Sequence, residues 1–140
     1  IDDIRNLNFL MRKFKKKLGT LASKISDIQI YKKESVVKVY TNKSFETSEF
    51  PNAINFSRNI INNVNNIYHH LGIYCYQLET LKKFVSYNQS QNEIKNKLEQ
   101  CRALDNNIEI NVALAKSSPI GVDTKEDFLA IKKIMEYKSE

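Results

Sequence analysis

Ser118-Pro119-Ile120-Gly121-Val122-Asp123-Thr124-Lys125-Glu126-Asp127 joins two runs of different period. Upstream, Ile108 to Ala115 is apolar and long enough for one strand; downstream, Phe128, Leu129, Ile131, Ile134 and Met135 recur at helical spacing. The segment therefore reads as a strand-to-helix crossing. Thr124 followed by Asp127 has the form of a capping box with an acid as the partner residue, so a helix is expected to begin here. Asp123 then lies just outside the helix start. On spacing alone, Asp123 assists capping and Gly121 supplies a turn.

The wider composition bounds the class. At 140 residues the chain is the size of one ordinary domain and long enough to bury a modest core. A hydrophobic share of 41% against 27% charged residues is that of a globular protein, not a disordered one. No apolar run approaches the roughly 18 residues of a membrane span, and the acids near the start do not read as a signal peptide. The chain begins at Ile1 and not at Met, as a fragment would. Cys75 and Cys101 form no close-spaced pair, so neither zinc nor a disulfide scaffold is indicated, and they read as small buried thiols in a reducing cytoplasm. The net charge of +6 and the Lys13, Lys15, Lys16, Lys17 cluster raise a nucleic-acid reading. The lysines interrupt Leu10, Met11, Phe14 and Leu18, however, and a solvated helix face explains them as well.

Taken in order, Asp2 or Asp3 caps a helix running to about Leu18, ended by Gly19. Thr20 to Ile25 reads as a short strand, Asp27 to Ser35 as loop, and Ser35 to Thr41 and Ala53 to Arg58 as strands joined by a polar connection. Leu71 to Tyr76 reads as a strand in which Gly72 permits a close backbone approach. Gln77 to Val85 reads as a short helix with Leu78, Leu81 and Phe84 inward. Ser90 with Glu93 is a capping box opening one longer helix, whose Ile94, Leu98, Cys101 and Leu104 face the core. Glu99 and Arg102 share another face, as an ordinary ion pair would. The order is mixed α/β, with neither an internal repeat nor a linker.

Three motifs occur in order: Tyr68-x-His70-Leu71-Gly72-Ile73-Tyr74-x-Tyr76, Leu98-Glu99-Gln100-x-Arg102-Ala103-Leu104 and Gly121-Val122-Asp123-Thr124-x-Glu126-Asp127. With the weaker pair Val36-Val37-Lys38-Val39 and Phe56-Ser57-Arg58, the set resembles the carboxy-terminal half of the bacterial 3-deoxy-manno-octulosonate (Kdo) cytidylyltransferases, the CMP-Kdo synthetases, over roughly residues 18 to 135. The resemblance implies the C-terminal portion of a nucleotide-diphospho-sugar transferase-like mixed sheet with flanking helices. It implies a single partial domain over residues 1–140, lacking the N-terminal nucleotide-binding half.

The family joins CTP to Kdo and releases diphosphate, a step of lipopolysaccharide precursor synthesis in the cytoplasm. Phosphate and carboxylate charge must then be neutralised, so Mg²⁺ and basic or amide donors carry much of the chemistry. By resemblance Asp123 supplies one metal ligand, His70 and Tyr74 line the sugar-acid pocket, Glu99 and Gln100 hold its hydroxyls, and Arg58 is a basic group near the substrate. The second metal carboxylate and the glycine- and arginine-bearing phosphate loop belong to the family's amino-terminal half. Gly19, Gly72 and Gly121 are isolated and form no such loop. Asn59-Ile-Ile-Asn-Asn-Val-Asn-Asn66 departs from the family, whose longer loop there carries basic residues. The expectation is a sugar-acid and metal half that is inactive alone, self-associates as a homodimer and works with a separate N-terminal half. The alternatives are a non-catalytic dimerising remnant or interaction module, a basic nucleic-acid binder and, within the enzyme class, a sialic-acid cytidylyltransferase.

Overall fold

The computed structural model describes residues 1–116 and 125–137. Eleven elements follow one another: α1 (Asp2–Lys13), β1 (Leu18–Ser23), α2 (Ile28–Lys32), β2 (Lys38–Thr41), β3 (Ala53–Ser57), β4 (Ile67–Tyr76), α3 (Leu78–Ser86), α4 (Gln91–Asn96), α5 (Gln100–Asp105), β5 (Asn111–Leu114) and α6 (Lys125–Tyr137). The strands form one mixed sheet in the order β3-β2-β4-β1-β5. β1 runs antiparallel to β4 and parallel to β5. The outermost strands also meet, because Asn52 bridges to Asn111, Ala53 N–H donates to the Ile110 carbonyl and Val112 N–H to that of Pro51.

Helices cover both faces, as a sheet with two apolar sides requires. On one, Leu7, Leu10 and Met11 of α1 pack on Leu21, Leu71 and Ala113. On the other, Phe84 of α3 and Cys101 and Ala103 of α5 join Val39, Phe56, Leu98 and Val112. β1 lies between the two layers and is buried at every position. Gly19 is part of that strand and does not end a helix. A Cβ there would lie 2.7 Å from Met11 Sδ, so glycine lets α1 approach the sheet. The close approach expected at Gly72 is absent, since nothing lies within 4 Å of a Cβ built there.

Several elements differ from their sequence reading. α1 stops at Lys13, Lys15 adopts φ 50°, and the chain turns into β1 one turn sooner than the apolar spacing implied. The stretch expected to be loop after Asp27 holds α2, whose first turn is capped where Asp27 Oδ1 accepts from Gln29 N–H at 2.8 Å. β4 extends to ten residues, four more than its apolar core indicated. In α3 only Phe84 of the three expected inward residues is buried; Leu78 and Leu81 are 66% and 39% exposed.

The helix expected from Ser90 onward is two helices. The capping box is present, with Ser90 Oγ accepting from Glu93 N–H and Glu93 accepting from Ser90 N–H, but Lys97 enters the left-handed region at φ 53° and ends α4. The break has an electrostatic consequence. Residues nine apart on a continuous helix point in roughly opposite directions, about 180° apart. Across the break, Arg102 instead makes a two-pronged contact with Glu93, Nε to Oε2 at 2.8 Å and Nη2 to Oε1 at 2.5 Å. Ile94, read as a core residue, is left 60% exposed, while Leu98 and Cys101 are buried as expected.

The last helix begins by Lys125, as the capping pattern at Thr124 implied. Gly121, Asp123 and Thr124 lie outside the described residues. Both cysteines are free, Cys101 buried and Cys75 half-buried. Among the described residues no helix is long and apolar enough to cross a membrane.

Candidate functional site

β4 supplies the centre of the site. Strand alternation turns His70, Tyr74 and Tyr76 to the face that carries α3, α4 and α5, and Leu71 and Cys75 to the face that carries α1. The His70 and Tyr74 rings lie 5.6 Å apart, and Phe56 of β3 stands edge-on to His70 at 5.0 Å. Behind them, the register of β1 and β4 shifts between Thr20 and Leu21. The Thr20 hydroxyl occupies that irregularity, donating to the Ile73 carbonyl at 2.8 Å.

Thr20 also decides the state of the histidine. Its single hydroxyl proton is directed at Ile73, so its oxygen is left to accept from His70 Nε2, 3.0 Å away. With the proton of the neutral ring on Nε2, Nδ1 is left as an acceptor. Burial opposes charging the ring, and His69 beside it adds to the effect, so its pKa falls from 6.5 to about 4. Burial, then Tyr76, Glu99 and Cys101, raise the pKa of Tyr74 well above the ordinary phenol value. At neutral pH neither group exchanges a proton readily. Such groups suit hydrogen bonding to a neutral polyol better than general acid–base work.

Glu99 stands at the start of α5, close enough for its carboxylate to influence both Tyr74 and Tyr76. It lines a shallow groove with Lys97, Leu98 and Arg102 and is 70% exposed. The ion pair expected between Glu99 and Arg102 is present at 3.6 Å but is secondary. The Arg102 guanidinium belongs chiefly to Glu93 and lies 4.8 Å over the Phe84 ring. Gln100 follows in the first turn of α5 and is buried. Arg58 reaches across to the α4–α5 junction, where Nη2 lies 3.4 Å from the Lys97 carbonyl, while Nη1 lies 3.4 Å from that of Glu34.

The structure thus brings His70, Tyr74 and Glu99 together, places Gln100 beside Glu99, and ties Arg58 to the backbone next to them. Asp123, the expected metal ligand, lies outside the described residues. Among the described residues no group of three or more His, Cys, Asp or Glu side chains could hold a metal ion. The lysine-rich segment lies elsewhere. Lys15, Lys16 and Lys17 line a groove with Thr80, Lys83 and Asn111, and Lys13 and Lys16 pair with Glu49 and Glu109 at 2.7 and 3.8 Å.

Three groups that shape the site were given no role by sequence reasoning, although Phe56 and Lys38 lie within the quoted motif pair. Thr20 and Phe56 contact His70 from strands β1 and β3, and only the fold reveals those contacts. A polar residue inside a continuously apolar strand was the available signal for Thr20, because a buried hydroxyl needs a partner. Lys38 is the third. It is fully buried, and its Nζ donates to the carbonyls of Lys33 at 2.7 Å and Arg58 at 2.5 Å, anchoring the strand end that carries Arg58.

The mixed sheet with its flanking helices is shared with a solved structure. A solved chain described as CMP:2-keto-3-deoxy-manno-octonic acid synthetase complexed with CTP superposes with a TM-score of 0.82 at 27% identity, covering 98% of this chain and 56% of that one. Sequence relatives carry the same activity in their names. The 3-deoxy-manno-octulosonate cytidylyltransferase of Thermodesulfovibrio yellowstonii is 35% identical over 132 residues, 90% of this chain and 51% of that protein. That of Bartonella tribocorum is 49% identical over 69 residues, 49% of this chain and 28% of that protein. No protein-family model matches. The chain is homologous to the 3-deoxy-manno-octulosonate cytidylyltransferases, the CMP-Kdo synthetases, and spans at most about half the length of these relatives.

Proposed function

We propose that the chain is the C-terminal, sugar-acid-binding half of a CMP-Kdo synthetase, working in the cytoplasm and unable to turn over CTP and Kdo by itself. The observation that carries this reading is the meeting of His70, Tyr74 and Glu99 at one place on a fold shared with the solved synthetase. In this arrangement His70 Nδ1 accepts from a sugar hydroxyl, Tyr74 donates to another oxygen, and Glu99 and Gln100 hold the remaining hydroxyls. Arg58 lies near enough to the α4–α5 junction to attract the substrate carboxylate. Asp123 is one ligand of the Mg²⁺ that neutralises phosphate charge, and the nucleotide half supplies the other carboxylate. The active assembly is a homodimer of completed units. The polar run from Asn59 to Asn66, which has no basic residue, favours as a second reading a non-catalytic module that keeps the fold but has lost affinity.

A titration with Kdo in the presence of Mg²⁺, followed by NMR of the histidine and tyrosine side chains, tests the pocket. The expected result is a saturable change at His70 and Tyr74 that weakens about tenfold in Tyr74→Phe, the scale of one lost hydrogen bond. No change at either residue, or equal affinity in the variant, removes the assignment.

A further inference from the structure

Lys38 opens β2 and is fully buried, a costly place for an ammonium unless its protons are bonded. Nζ donates to two main-chain carbonyls, that of Lys33 at 2.7 Å and that of Arg58 at 2.5 Å. The first belongs to the residue that ends α2, the second to the turn that follows β3. The sheet itself does not need these bonds, because Lys38 already stands opposite Ser57 of β3 and His69 of β4 in the ladder. An apolar side chain would fill the same space without desolvating a charge. What the ammonium adds is a tie between two segments outside the sheet.

One of those segments carries Arg58, and its guanidinium returns to the other. Nη1 lies 3.4 Å from the Glu34 carbonyl, one residue beyond the Lys33 carbonyl that Lys38 grips. Lys38, Lys33, Glu34 and Arg58 thus close a ring of bonds. Nη2 lies 3.4 Å from the Lys97 carbonyl, at the junction that leads to Glu99. Tyr40, two residues after Lys38 and on the same face of β2, holds the rest of the turn. Its hydroxyl accepts from Ile61 N–H at 2.9 Å and lies 3.4 Å from the Asn59 carbonyl.

Two buried polar side chains on one strand face therefore serve a single turn. Among the described residues no carboxylate pairs with Arg58. Its two carbonyl contacts are long, and a guanidinium has five N–H donors, so three are left for a ligand. A carboxylate gripped in the two-pronged manner needs two of them.

We infer that Lys38, supported by Tyr40, is a positioning residue for Arg58: it fixes the turn so that the free edge of the guanidinium meets a sugar carboxylate, and so gives the pocket its preference for acids over neutral sugars. The inference rests on the proposed function, in which Arg58 attracts the substrate carboxylate, and adds the residues that make this contact selective. Lys38 itself touches no substrate. A loosened turn leaves the charge of Arg58 in place but spreads it over many orientations. That weakens a directed, charge-assisted bond more than the hydroxyl contacts of His70 and Tyr74.

The test compares Kdo with its methyl ester, which keeps every hydroxyl and lacks the charge, in the NMR titration at His70 and Tyr74. The wild-type chain is expected to bind Kdo about tenfold more tightly than the ester, the scale of one charge-assisted hydrogen bond. Arg58→Ala is expected to abolish that ratio. Lys38→Met is expected to reduce it by about threefold or more, to leave affinity for the ester nearly unchanged, and to cause no further loss when added to Arg58→Ala. Relaxation of the Arg58 Nε–H group, recorded without ligand, is expected to show a restricted side chain in the wild-type chain and a freely reorienting one in Lys38→Met. Tyr40→Phe removes one hydroxyl from the same turn, is expected to reduce the ratio in the same sense, and decides the matter if Lys38→Met does not fold.

Equal losses for Kdo and the ester in Lys38→Met mark a merely structural lysine and overturn the inference. So does an unchanged ratio in the variants that fold, an additive loss on top of Arg58→Ala, or an Arg58 side chain equally restricted with and without Lys38. The wild-type titration separates the two levels. No Kdo response at His70 or Tyr74 removes the sugar-acid reading and this inference with it, whereas a Kdo response whose preference over the ester survives both variants removes only the inference.

Discussion

His70 and Glu93 are buried groups that resist protonation, and together they set the acid response of the chain. Folding lowers the pKa of His70 from 6.5 to about 4 through burial, and that of Glu93 from 4.5 to about 2 through its bonds with Arg102. In each case the unfolded chain binds the proton more readily than the folded one, so stability is lost as pH falls. The loss begins near pH 6.5, where unfolded His70 takes up a proton, and continues toward 4. Glu93 adds a further loss between about 4.5 and 2. Urea unfolding midpoints are therefore expected to fall steadily from pH 7 to 4, with a shallower fall over the first interval in His70→Asn. A midpoint that rises from pH 7 to 5 contradicts the buried neutral histidine. His70 was singled out by the family motif and Glu93 by the capping box, but their chemical state was not legible. Neither Thr20 at the β1 irregularity nor Phe56 stands near His70 in sequence, and the burial that keeps the ring neutral comes from such long-range packing.

The elements reveal which local signals carry structure. Ser90 and Glu93 are three residues apart and bond within one turn, so the capping box formed as its pattern indicated. The apolar spacing that continued through Leu98 and Cys101 suggested one helix, because nothing in the sequence marks Lys97 as left-handed. That turn is held by packing of Leu98 and by the Glu93–Arg102 contact across it. The close approach expected at Gly72 occurs instead at Gly19 for the same reason, since crowding at a glycine depends on what the fold brings to it.

The two acids that contact Arg102 should accordingly differ in weight. Glu93→Ala leaves the largely buried Arg102 guanidinium with only its 3.6 Å contact to the exposed Glu99 and is expected to cost about 3 kcal/mol. Glu99→Ala removes a 70% exposed acid and is expected to change stability by less than about 1 kcal/mol while weakening Kdo binding. Denaturant unfolding of both variants checks the order; equal costs would mean that the α4–α5 break is not held by Glu93.

At the scale of the molecule, the α/β class, the order of the motifs and the kinship with the cytidylyltransferases could all be read from the sequence. The order β3-β2-β4-β1-β5 and the bridge between its outer strands could not, because strand neighbours far apart in sequence leave no local trace.

Catalytic incompleteness is the core of the account, and pyrophosphate release from CTP, Kdo and Mg²⁺ measures it directly. The purified chain alone is expected to release none above background. With the nucleotide-binding half present, release is expected to appear, to require Kdo and to fall at least a hundredfold in Asp123→Ala. Turnover by the chain alone, or turnover by the pair that ignores Asp123→Ala, would contradict it.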